Sequence, residues 1–170
     1  VPSTEIREDS GNIKDKKMGY YLADEAVFRR VTEATGAGNN RHPLTYILEA
    51  ADDLAYKTAD IEDAFVKGFI TYYTLERELA PLEKNYPESP FKPLEKLRQL
   101  YARGIKKGVS NPESYAVKNW IISAQAFLIS CATFGFTSNY DSIMAGTFGQ
   151  DLFYGTYGEK LMDLLGDLAY

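Results

Sequence analysis

Residues 112–134, PESYAVKNWIISAQAFLISCATF, are the most apolar stretch of the chain and limit its folding more than any other feature. Asn111-Pro112-Glu113 reads as a helix start: a capping side chain, a first-turn proline and an acidic first turn. A helix this long and this apolar has to be surrounded by other elements. No alternating strand pattern lasts more than a few residues, and no internal repeat appears. The chain is therefore expected to be all-α, with 112–134 as a central helix.

Helix punctuation elsewhere fits that reading. A helix is expected over 23–35, stopped by Gly36, and a long one over 43–67, opened by Pro43 and stopped by Gly68. Thr71 is placed to cap a third through about residue 84. NYPESPFKP, 85–93, holds three prolines and reads as a connector. A helix over 93–107 ends at Gly108, a short one spans 140–148, and the last starts near Glu159. Residues 1–19 read as polar and extended or loop-like. Aromatics at helical spacing, such as Tyr72, Tyr73, Trp120 and Phe127, are expected in the core.

Composition narrows the function classes. The 170 residues are 45% hydrophobic, enough for one core. The net charge of −5, with no basic block, gives no electrostatic reason to expect nucleic acid. The single cysteine, Cys131, rules out an intrachain disulfide and fits a reducing compartment. With no signal peptide and no uninterrupted run of 18 apolar residues, a soluble, cytoplasmic protein is expected, without a membrane partner. The start without Met and the uncapped apolar end lead us to expect a piece of a longer protein.

The chemistry concentrates in EAADDLAYKTADIEDAF, 49–65. On a helical wheel at about 100° per residue, Asp52, Asp63, Tyr56, Glu49, Asp60 and Asp53 fall within an arc of about 100°, with Thr45 among them. The rest of the helix is mainly apolar or small, so it is expected to be well buried, and no lysine or arginine is expected within the acidic arc. Such a stripe faces solvent or lines a cleft, and the pattern leaves both open. Asp52, Tyr56 and Asp60 follow one another at i, i+4 and i+8, so the two carboxylates stand about 12 Å apart along the axis. That is too far to share one metal ion, whose ligands lie about 2 Å from it, but it matches an elongated ligand such as a nucleotide. His42 lies too far from Asp52 to be a good co-ligand and reads as a loop or helix-start residue.

The segment RHPLTYILEAADDLAYKTADIEDAF, 41–65, resembles the bacterial dGTP triphosphohydrolases of the HD superfamily. KKMGYYLADEAVFRRV, 16–31, resembles the same family upstream, and SIMAGTF, 142–148, a short signature downstream. The resemblance implies a multi-helix HD-domain-like bundle. Residues 1–170 would be a partial domain: a phosphate-side segment at 1–19, a ligand-bearing core helix at 43–67, and a helical remainder at 85–170. It implies metal-dependent hydrolysis at the α-phosphorus of dGTP or another dNTP, giving deoxynucleoside and intact triphosphate.

The family holds a divalent ion, such as magnesium or manganese, with two histidines and two aspartates. Asp52 matches the last of these ligands. The resemblance places Tyr56 against the deoxyribose, Asp60 as acceptor from the 3′-hydroxyl, and Lys17 on the triphosphate, with Lys16 a weaker match. Arg41 matches an arginine beside the helix start, away from direct ligand contact. The family's other histidine and its His-Asp pair have no counterpart here and are expected upstream, so the chain alone is expected to be inactive. The family also implies a homo-oligomer, and single-stranded DNA or dNTP effectors for which no residue here identifies a site. Two rival readings remain: a non-catalytic helical interaction module, and an isoprenoid-type diphosphate site, which is disfavoured because its expected third aspartate falls on Tyr56.

Overall fold

Eight α-helices follow one another among the described residues: α1 (Ile13–Lys16), α2 (Glu25–Thr35), α3 (Pro43–Val66), α4 (Tyr72–Asn85), α5 (Pro93–Lys106), α6 (Pro112–Ser138), α7 (Tyr140–Met144) and α8 (Glu159–Ala169). The computed structural model describes residues 2–169. Val1 and Tyr170, the first and last residues of the domain read from sequence, lie outside the described residues. The fold is all-α, and its described residues contain no strand. An isolated bridge joins Pro2 to Tyr20.

The helices start where local chemistry allows. The Asn111 side chain accepts the Ser114 amide at 2.9 Å and opens α6. Thr71 accepts the Thr74 amide at 3.1 Å and opens α4. α5 is capped from a distance: a Glu83 carboxylate oxygen accepts the Leu94 and Glu95 amides at 2.9 and 3.2 Å, so α4 supplies the acceptor that Lys92 lacks. Gly36, Gly68 and Gly108 follow their helices with φ of 69°, 79° and 67°, a left-handed turn that glycine takes without steric cost.

α6 is the hub, packed against α3, α4, α5 and α7, while α8 closes on α3 and α4. Its buried stripe is Ala116, Val117, Trp120, Ile121, Ala124, Leu128, Cys131 and Gly135. Trp120 is fully enclosed and its indole N–H donates to the Pro93 carbonyl at 2.8 Å, which satisfies its polar atom inside the core. Burying a side chain such as Leu128 contributes about 1.5–3 kcal/mol. At Gly135 the backbone of Leu152 comes so close that a Cβ would lie 2.0 Å from its carbonyl oxygen. By length and composition α6 is apolar enough to cross a bilayer, but here its stripe is built into the core.

Several expectations are corrected. α6 runs four residues beyond 134 and is central on one side only: Ile122, Ile129 and Phe134 are exposed on the other. α3 is buried along the single stripe Tyr46, Ala50, Leu54, Thr58 and Ile61, because only α6 and α8 pack substantially against it. Leu44, Ile47 and Leu48 remain exposed. Tyr72 joins the core whereas its neighbour Tyr73 faces outward. Residues 1–19 are not simply extended: they contain a short 3-10 turn at Ser3–Glu5 and α1, folded back by the Arg7–Asp15 ion pair at 2.7 Å. The short helix expected over 140–148 stops at Met144, where a turn through Gly146 takes over.

Candidate functional site

α3 begins at His42. The imidazole Nδ1 accepts the Leu44 amide at 3.2 Å, and Pro43 occupies the first turn. His42 is thus a helix cap, with Nδ1 as the acceptor. The helix is then held to α6 by a partly buried polar tie. Gln125 Nε2 donates to the Thr58 hydroxyl at 2.8 Å, and that hydroxyl donates to the Leu54 carbonyl at 2.8 Å. Lys57 donates to the Met162 carbonyl of α8 at 3.0 Å, so this lysine serves packing.

With that stripe facing inward, the acidic arc faces outward. Asp52 and Tyr56 are exposed, and Asp60 is half-buried. Tyr56 is 63% exposed, so its ring and hydroxyl are available to a ligand or another protein surface. The helix brings Asp52, Tyr56 and Asp60 onto one flank, about 12 Å end to end. Two other carboxylates of the arc are neutralised. Glu49 pairs with Arg41, and Asp63 pairs with Lys67 at 3.2 Å. The expectation of an arc with no basic relief is therefore corrected at its C-terminal end, where Lys67 lies four residues after Asp63.

Lys17 follows the last residue of α1 and is exposed. It lines a recess of about 560 Å³ that also reaches Arg41, Thr45 and Glu49. Glu49 lies one turn before Asp52, so the recess opens at the N-terminal end of the acidic flank. The Arg41 side chain is buried to all but 8%, paired with Glu49 and stacked over the Tyr46 ring at 4.9 Å. Its Nε is buried without a hydrogen-bond partner among the described residues. Burial raises the Tyr46 pKa above its usual value, with the Arg41 charge opposing and Glu49 adding to the rise, so the hydroxyl stays a donor. The role of Tyr46 had no signal in the sequence, because its partner, the Phe148 carbonyl at 2.6 Å, lies 102 residues away.

No family model matches the chain. Individual relatives do. The chain is 36% identical to a "Deoxyguanosinetriphosphate triphosphohydrolase-like protein" of Listeria monocytogenes over 172 residues, covering 99% of this chain and 36% of the relative. It is 46% identical over 71 residues to a deoxyguanosinetriphosphate triphosphohydrolase of Serratia proteamaculans, covering 41% of this chain and 14% of the relative. With a protein of that name from Salmonella typhi the identity is 30% over 168 residues, 95% of this chain and 32% of the relative. The chain is homologous to part of the deoxyguanosinetriphosphate triphosphohydrolases. It spans about a third of the length of the Listeria and Salmonella relatives.

The triphosphohydrolase resemblance thus covers nearly the whole chain, including the stretch between 85 and 130 that carries no motif. A metal site is a different matter. Among the described residues no group of three His, Cys, Asp or Glu side chains converges on a point that would hold an ion. Asp52 offers one carboxylate, and the donors present in this chain do not fit a bound metal by themselves.

Proposed function

We propose that this chain forms one wall of the active site of a cytoplasmic, metal-dependent deoxynucleoside triphosphate triphosphohydrolase with an HD-type helical domain, acting on dGTP or another dNTP. Products are the deoxynucleoside and intact triphosphate. The observation that carries this reading is the outward flank of α3, with Asp52 and Tyr56 exposed and Asp60 half-buried, set on a helix whose opposite side is fixed in the core, in a chain whose relatives bear the triphosphohydrolase name.

Each residue has a task in this reading. Lys17 places a point charge on the phosphates. Asp60 accepts a hydrogen bond from the sugar 3′-hydroxyl, and Tyr56 packs on the deoxyribose, where a 2′-hydroxyl would crowd it. Asp52 is one of four ligands to a magnesium or manganese ion, the others coming from outside this chain. The chemistry at phosphorus is therefore assigned beyond this chain, which alone is expected to be inactive. The test is dGTP turnover by the longer enzyme beside the 170-residue chain. Turnover by the longer enzyme alone supports the reading, and turnover by neither removes it.

A second reading has its own observation. Leu44, Ile47 and Leu48 of α3 and Ile122, Ile129 and Phe134 of α6 leave apolar area uncovered. That is the surface of a helical interaction module, or of a homo-oligomer subunit. The two readings separate on whether the longer polypeptide contains an H…HD pattern.

A further inference from the structure

The SIMAGTF segment and the Gly149 that follows it have no task in the function proposed above, yet three parts of the site meet on them. After α7 the Thr147 and Phe148 amides both donate to the Ser142 carbonyl, at 2.9 and 3.2 Å, and close a tight turn. Gly146 sits at φ 71° inside it, and a Cβ there would lie 2.2 Å from Asn40 Cγ. Asn40 belongs to the loop that leads to His42, the cap of α3. Two residues on, the Phe148 carbonyl accepts the Tyr46 hydroxyl of α3 at 2.6 Å, with the two rings 5.7 Å apart. The next carbonyl, of Gly149, accepts the Ile13 amide at 2.8 Å. Ile13 is the first residue of α1, and Lys17 follows its last.

This last bond differs from the others in the N-terminal segment. The Ser3 amide bonds to Tyr20 and the Arg7 amide to Asp15, which close the segment on itself. Ile13 to Gly149 joins it to the helical bundle. α1 buries no residue completely; its Ile13 is partly buried against the core, beside the bond to Gly149, and Lys17 itself is exposed.

We infer that the Gly146–Gly149 turn is a positioning device: it sets the distance between Lys17 and the Asp52 flank by gripping α1, the α3 cap loop and Tyr46 at once. This inference rests on the phosphate role proposed for Lys17. A lysine recognises phosphate as a charge, and the attraction falls as the distance grows. Displacing the turn therefore weakens hold on the triphosphate group and leaves the chemical step alone. Gly146 is the sensitive position because a side chain there is strained by the positive φ and would force Asn40 to move.

The test is a cycle in the longer enzyme: Gly146→Ala, Lys17→Ala and the double variant, with dGTP as substrate. Gly146→Ala is expected to raise KM on the order of 10-fold with kcat held within about 2-fold, and to add nothing once Lys17 is Ala. A structural effect unrelated to Lys17 multiplies the loss in the double variant, and that result overturns the inference, as does an unchanged KM in Gly146→Ala. If Lys17→Ala itself leaves KM unchanged, the phosphate role of Lys17 fails, and the inference falls with it for that separate reason. Hydrogen exchange in the longer enzyme checks the geometry directly. Gly146→Ala should speed exchange of the Ile13 amide and leave the amides around Trp120 protected; an unaltered Ile13 rate contradicts the proposed grip. Should Gly146→Ala unfold the protein, Tyr46→Phe, which removes only the donor to Phe148, takes its place with the same expectations.

Discussion

Asp52 and Ile61 stand on opposite sides of α3, Ile61 completely shut from solvent and Asp52 in the open. Nine residues separate them, which at about 100° each is half a turn beyond two full ones. What α3 needs for packing is thereby kept apart from what it offers a ligand.

The first prediction follows from that separation. Asp52→Ala should leave stability within about 0.5 kcal/mol of wild type, as surface substitutions do. Ile61→Ala should cost about 2–5 kcal/mol, the range for truncating an aliphatic side chain in a packed core. Urea unfolding of both variants measures this. A large loss on changing Asp52 would give that carboxylate a structural task instead.

Lys17→Ala in the longer enzyme is predicted to raise KM for dGTP with a smaller effect on kcat, since a charge that holds phosphate equally in ground and transition states shows in KM. Steady-state kinetics at two ionic strengths check it. Equal KM values for variant and wild type would leave Lys17 as a solvated surface residue.

The sugar end of the flank makes a separate prediction. A 2′,3′-dideoxynucleoside triphosphate lacks the hydroxyl that Asp60 is proposed to accept from, so its kcat/KM should fall at least about 10²-fold below that of the matching dNTP. GTP should also be turned over more slowly than dGTP, because its 2′-hydroxyl meets Tyr56. Equal turnover of GTP and dGTP would remove Tyr56 from sugar selection.

Cys131 should be a poor nucleophile. It is buried, and burial pushes its thiol pKa up, with the Thr156 hydroxyl and Gly158 backbone pulling partly the other way. Less thiolate forms at pH 8 than in a free cysteine. Alkylation by iodoacetamide should be slow in the native protein and fast in urea, read by mass spectrometry. Rapid labelling without denaturant would contradict this burial.

Local features were legible in the sequence. Asn111, Thr71 and the glycines after α2, α3 and α5 act on groups within a few residues of themselves, and the structure uses each as expected. Spacing alone put Asp52, Tyr56 and Asp60 on one flank. Burial was less legible, because a helix that is apolar on most sides, like α3 or α6, does not say which sides will find a neighbour. Leu48, 69% exposed, and Phe134, 62% exposed, are the result. Least legible were the long-range ties. Nothing near Tyr46 announces Phe148, and nothing near Glu83 announces the amides of α5.

The outward flank of α3 is proposed to serve triphosphohydrolysis. Phosphorus NMR of dGTP incubated with the longer enzyme and manganese tests it most directly, run beside the Asp52→Ala variant. Wild type should give intact triphosphate as the phosphorus product and the variant none. Pyrophosphate or dGMP as the product, or full turnover by Asp52→Ala, would contradict it.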